Sequence, residues 1–418
     1  MGLLHSMLWH KLPQPKPLRA DLGREEFAVR FALAPLLLLS AFFPGVADAD
    51  RWQIRSLANL QTRYDDNIRF VREDAEAGYS VRANATLRAI RSTENSNTGI
   101  YLGLGGTRFP DYSDLNNTSG VAGIDLGYRL ERQRFGLKAD FDSMSTIDSE
   151  VATTGLVQVN RQRNRWEVNP AWGYELSSRS ALEVDARYVD VTYDDPQNPL
   201  FRDYTDYRLG TVELGGIYRA TERLGLTGRI DYGRYEAKDI DNQYDNMGLL
   251  FGAGYAVSER SSLQAEVGLR RTEQTRGGPD GIELTESSSG PTFQVSYRRE
   301  FEVGGGLRLE GRRQLLPSGS GQVLDTTGLY ARVEYPLGAR WQVGLGAEAY
   351  RNRRPDGRQG LEDRSYASVE PTLAYRLDEY WRLSAGYRFR WQERESVPGE
   401  AVSNAVFLTL NWSRPWDL

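Results

Sequence analysis

The side chains capable of chemistry in this sequence are arginines and carboxylates, and they recur at every second position. Glu167, Asn169 and Glu175 alternate with Trp166, Val168, Trp172 and Tyr174. Beyond a polar turn at Ser177–Ser180, Glu183, Asp185 and Arg187 alternate with Leu182, Val184, Ala186 and Tyr188. A period of two places one set on each face of a strand, so one face is charged and the other apolar and aromatic. Along the whole chain the charged face holds Arg55, Arg82, Arg88, Arg129, Arg165, Arg187, Arg229, Arg270, Arg308, Arg312, Arg332, Arg376, Arg388 and Arg390, with acids such as Glu310 and Glu348 between them. Arginine pairs with carboxylate or phosphate through a planar two-contact fork. Such a face either neutralises itself through ion pairs or offers stepwise contacts to an anionic polymer.

Other chemistries are poorly provided for. There is no cysteine, and both histidines, His5 and His10, precede residue 50. From residue 50 onward a Ser-His-Asp triad or a His/Cys zinc site is therefore excluded. The carboxylate pairs Asp140/Asp142 and Glu183/Asp185 share a face, as a glycosidase pair might, but arginines at similar positions make ion pairing the simpler reading. Asp65-Asp66-Asn67 and Asp239-Ile240-Asp241-Asn242 offer oxygen ligands, yet the EF-hand spacing fails for want of its glycine. No enzymatic activity, cofactor or metal site is expected, and no basic tail points to nucleic acid.

The elements that must carry this face are hairpins. Tyr128, Tyr174, Tyr218, Tyr255, Tyr297, Tyr335 and Tyr375 each precede a short polar turn, spaced by 37 to 46 residues. A period near forty marks a repeat, here two long strands and one long loop. Short turns and long Asp-, Asn-, Gly- and Ser-rich loops alternate strictly, the latter near 110–118, 148–160, 194–204, 237–244, 272–285, 316–322, 351–364 and 392–403. That asymmetry, with rings of amphipathic tyrosine at the tight end, is the pattern of an all-β, closed antiparallel transmembrane β-barrel of about 18 strands, with short periplasmic turns and long extracellular loops. Both termini then lie on the periplasmic side. Pro170, Pro291 and Pro371 fall inside strands, where a ladder donor is lost, so bulges or local breaks are expected there.

With 418 residues and a mean hydropathy of −0.56 the chain is too polar for a helical membrane protein. Its apolar run Phe31–Phe43 follows Arg30, precedes Ala47-Asp48-Ala49 and is too short to span a bilayer. Residues 1–49 read as a secretory signal peptide, with a leading part long enough to suggest an over-long start. Residues 50–418 read as the barrel, which begins at once with Trp52, Ile54, Ala58, Leu60 and Tyr64 and leaves no room for a plug domain. The last strand is expected to close near Trp412, with Arg414–Leu418 as a tail.

Tyr64-Asp65-Asp66-Asn67 at the end of the first strand, together with the tyrosine-centred turns, resembles the type-2 β-barrel porins, including outer-membrane barrels associated with exopolysaccharide biosynthesis. The resemblance implies a bacterial outer-membrane location, lipid contact, passage of a surface polysaccharide and periplasmic export proteins as partners. A diffusion porin, favoured by a loop folded into the lumen, and a structural barrel, favoured by a lumen closed by salt bridges, are the alternatives.

Overall fold

The computed structural model describes residues 52–417 apart from 156–159, 195–203, 239, 278–282, 358–362 and 396. The expected signal segment 1–49 lies outside the described residues.

Each apolar-polar alternation forms a strand. They are β1 (Trp52–Asp65), β2 (Gly78–Ser92), β3 (Ser96–Arg108), β4 (Asn117–Arg129), β5 (Gln133–Ser145), β6 (Gln162–Glu175), β7 (Ser180–Tyr193), β8 (Tyr207–Arg219) and β9 (Leu224–Ala237). The second half comprises β10 (Asn242–Ser258), β11 (Ser261–Gly277), β12 (Glu283–Glu300), β13 (Gly306–Pro317), β14 (Val323–Pro336), β15 (Trp341–Arg353), β16 (Arg364–Arg376), β17 (Trp381–Arg394) and β18 (Val397–Asp417). A single helical turn, α1 (Thr146–Ser149), follows β5. Every strand pairs antiparallel with its sequence neighbours, and β18 pairs with β1, closing the 18-stranded sheet.

Residues paired across a ladder share a face, and the register carried around the ring returns to β1 with the same parity. Contacts between distant strands identify the inner face. Asn352 on β15 donates to the Ala152 carbonyl in the β5–β6 connection at 2.8 Å, and Tyr235 on β9 donates to the Ser318 carbonyl beyond β13 at 3.1 Å. The other face bears an exposed apolar belt, with Leu269, Phe251 and Val267 at 71%, 61% and 60% exposure. Contiguous apolar surface of this extent needs a non-aqueous environment. Aromatics flank it at both ends: Tyr174 lies low on β6 and Trp166 high, the latter packed on Phe141 at 4.6 Å. The separation of these two along the strand, about 26 Å, gives about 20 Å of height at a tilt of about 40°, close to the apolar band of a barrel in a bilayer.

The tight turns fall where the tyrosines place them, but the other end differs from expectation. Much of 237–244, 272–285 and 392–403 is not loop: β10, β11, β12 and β18 run on past the belt, because their polar tops still satisfy each other's backbone groups. The last strand does not close at Trp412. β18 continues to Asp417, with Trp416 opposite Ile54 on the outer face.

The three prolines each sit at a ladder interruption. β6–β7 pairing skips from Val168–Tyr188 to Ala171–Asp185, and β16–β17 pairing skips from Val369–Phe389 to Thr372–Gly386. Pro170 and Pro371, which cannot donate, occupy those gaps, and two residue pairs drop out of each ladder. Pro291 lies just above Phe293–Arg313, where the β12–β13 ladder ends. Above that point β12 stays paired with β11 up to Glu283, and β13 stays paired with β14 up to Pro317–Val323. The upper β13–β14 hairpin has parted from β12 and tucked inward.

Candidate functional site

By the register above, the fourteen arginines expected on the charged face, together with Glu310 and Glu348, belong to the inner face. The seven girdle tyrosines, with Trp166, Trp172, Leu182, Val184, Leu383 and Trp391, belong to the outer face.

Two inward-folded bodies narrow the extracellular half. The first is built from three connections. Ile68, Phe109 and Leu115 form a buried cluster against which Tyr112 and Ile147 pack. Arg69 ties this body together, donating to Asp114 at 2.8 Å and Glu76 at 3.1 Å, bonds that hold its pKa above the usual value. Phe70 drops into the lumen against Tyr350, Tyr366 and Ala401, with Ile147 and Val151 beside it. Its φ of 49° is a conformation that a bulky residue seldom adopts, held here by the packing of its ring.

The β5–β6 connection is clamped to the far wall by β15–β17. The fully buried Arg364 donates to the Val151 carbonyl and, at 2.9 Å, to Tyr350 Oη. Arg394 donates to the Thr154 carbonyl at 2.6 Å. Gly155 has φ +64°, and a Cβ there would collide with the Arg364 guanidinium, so only glycine fits. Glu150 anchors the near side through Tyr193 at 2.8 Å and Arg163 at 3.4 Å.

The second body is the tucked β13–β14 tip. Val323 joins Val189, Val191, Tyr207, Tyr235 and Tyr244 in a buried cluster, with Leu315 packed on it. Asn242 donates to the Gly321 carbonyl at 2.6 Å and Tyr244 donates to Gln322 at 2.7 Å. Asn242 is thus engaged in docking. The candidate cation turn it belongs to includes Asp239, which lies outside the described residues.

The Asp65-Asp66-Asn67 turn is a clasp on the β1–β18 seam. Asp65 accepts from Arg390 at 3.1 Å and from Ser403 at 2.8 Å, and Asp66 accepts from the Asn404 side chain at 2.8 Å. Asn67 donates to the Val402 carbonyl at 2.8 Å. These oxygens are spent on backbone closure and an ion pair. The described residues contain no group of acids suited to a metal ion.

Charge is distributed unevenly around the inner wall. From β4 to β9 acids and bases interleave and pair: Arg163–Asp142 at 2.9 Å, Arg187–Glu167 at 2.8 Å, Arg229–Glu213 at 2.8 Å, Arg134–Glu183 and Lys138–Asp140 at 3.1 Å. Of the carboxylates that spacing alone allowed as catalytic, Asp140, Asp142 and Glu183 are thus held by bases. From β16 through β18 and β1 to β2 the inner face instead carries Arg376, Arg382, Arg388, Arg390, Arg55, Arg63, Arg82 and Arg88, against Glu370 and Asp65 among the described side chains. Arg63, Arg364, Arg382 and Arg394 were not singled out by sequence reasoning, although the period of two includes them. A recess of about 370 Å³ opens beside this wall, lined by Arg308, Arg332, Arg388, Glu348, Tyr366 and Ser368 among others.

Comparison of the sequence with protein-family models finds no match, and comparison with curated proteins finds none either. Among solved structures the chain is similar to the outer membrane protein opdK from Pseudomonas aeruginosa, at 11% identity over 87% of this chain and 99% of that one, with a TM-score of 0.42. OccAB4 from Acinetobacter baumannii is 11% identical over 90% and 100%, with a TM-score of 0.46. The copper transporter OprC is 15% identical, with a TM-score of 0.43; the match covers 82% of this chain and 62% of OprC. These likenesses concern the fold. The exposed apolar belt, its two aromatic borders and the closed sheet make the chain an 18-stranded antiparallel β-barrel of the bacterial outer membrane.

Proposed function

We propose that the barrel is a passive channel for small hydrophilic solutes. The observation that carries this reading is the clamping of the β5–β6 connection across the lumen onto β15–β17 by Arg364, Arg394 and Asn352. A barrel of this strand number is wide enough for water. A connection anchored from wall to wall narrows it, which suits discrimination among small molecules and hinders a threading polymer. Apart from Arg270–Asp325 at the tucked hairpin, the ion pairs within β5 to β11 run along the wall between near neighbours, for example Arg187–Glu167 and Arg229–Glu213, which argues against a purely structural, salt-bridged plug. Export of an exopolysaccharide with periplasmic partners is the second reading, favoured by the arginine-rich inner face and the resemblance noted above.

The test is conductance of the purified barrel in planar bilayers, with liposome swelling in sugars of graded size. Discrete steps and a sharp size limit are expected. A non-conducting barrel whose gene deletion abolishes surface polysaccharide would replace this reading with the export one.

A further inference from the structure

The basic wall contains two arginines that its acids do not satisfy. Asp65 takes Arg390 at 3.1 Å and Asp148 takes Arg82 at 2.7 Å. Between them, Arg63 has no ion pair or hydrogen bond of its side chain among the described residues, and Arg388 reaches Glu370 only at 4.0 Å. The Nε of each is shielded from solvent without an acceptor. Arg63 is largely withdrawn from water and lies in the field of Arg388, Arg390 and Arg82, which Asp65 offsets only in part. Repelling, partly desolvated guanidiniums need a counter-charge, and a shielded donor without a partner carries a cost.

The setting between them is built. Register places Arg63 opposite Phe407, and Phe407 opposite Gly386. The Phe407 ring lies over Gly386, in the space that a Cβ there would fill. Phe407 on β18 thus stands between β1, which carries Arg63, and β17, which carries Arg388 opposite Ala405, and gives the wall an apolar step between those strands. Arg388 also borders the recess lined by Tyr366 and Ser368, where Glu310, Glu348 and Glu370 leave the Arg63 side of Arg388 as the place for an anion.

We infer that Arg63 and Arg388, flanking Phe407, form a binding site for a small oxyanion, a carboxylate or phosphate, within the lumen. The inference rests on the channel reading and names its solute class. The anion supplies the missing counter-charge and accepts from planar forks that suit its geometry. Binding stays weak enough for passage because Asp65, Glu370 and Asp148 temper the wall.

The experiment measures reversal potentials of the full barrel in bilayers under a potassium chloride gradient, then block of chloride current by acetate and by inorganic phosphate. Wild type should prefer chloride, and both probes should reduce its current at millimolar concentration. Arg63→Gln/Arg388→Gln should lose the preference and the block, while Arg63→Lys/Arg388→Lys keeps the preference and weakens the block. Heat-modifiable gel mobility checks that each variant is folded. A conducting wild type that prefers potassium, or a folded Gln variant with unchanged selectivity and block, overturns the site and leaves the channel reading intact. A folded wild type without conductance removes the channel reading, and the site with it.

Discussion

Arg270 Nη2 lies 2.6 Å from the Asp325 carboxylate, and both side chains are nearly closed to solvent, at 6% and 8% exposure. Arg270 belongs to β11 and Asp325 to β14. Arg313 on β13 closes on the same carboxylate at 2.8 Å. The triad therefore joins the tucked hairpin to the wall it has left, across the seam where β12 and β13 no longer pair. Replacing Asp325 with Ala leaves the buried Arg270 guanidinium without its partner and opposed to the half-buried Arg313, a loss of about 3 kcal/mol. The hairpin tip should then loosen, and single-channel conductance should rise and become noisier, with 318–322 newly open to protease. Quiet wild-type conductance in Asp325→Ala would show that the triad does not hold the tip.

Gly155 and Arg364 fix the β5–β6 connection. Gly155→Val forces a branched side chain into a left-handed backbone position and into the Arg364 guanidinium, a cost of about 1–3 kcal/mol in backbone strain alone. The barrel should still fold, since the strands are untouched, but larger sugars should enter in the swelling assay. An unchanged size limit would place the constriction elsewhere.

Val184 faces lipid in the lower part of the belt, opposite Trp172 and one outward position above Leu182, which pairs with Tyr174. Val184→Arg should lower folding stability in bilayers by about 1–2 kcal/mol, between the interface and midplane costs, read from denaturant titration. Arg187→Leu, on the inner face, should be far milder. Equal effects would reverse the assignment of faces.

Acidification should sharpen ion selectivity. Carboxylates titrate near pH ~4, whereas arginine stays charged throughout. As pH falls from ~7 to ~4 the acids of the inner wall lose charge and the arginines do not, so the chloride-to-potassium permeability ratio should increase. A ratio that falls on acidification would mean that the current avoids the arginine wall.

The sequence alone determined the class of fold, the approximate number of strands and the two faces, and the closed ring made that number eighteen. The reason is local: a period of two is a property of single strands, and Tyr128 through Tyr375 mark every tight turn after the one between β2 and β3 without reference to neighbours. It also supplied the candidate residues, since Arg388 and Arg390 follow that period as plainly as Trp381 and Leu383. The tertiary structure decided which charges meet. Asp142 and Arg165 are brought together by adjacent strands, and Asp65 and Arg390 by the seam that closes the ring, a contact between residues 325 apart in the chain. It also decided that Asp65-Asp66-Asn67 is a clasp, that β18 runs to Asp417, and that the hairpin carrying Asp325 folds inward. Those outcomes depend on backbone groups finding partners across the closed ring and the mouth above it, and no pattern within one strand encodes which distant segment will supply them.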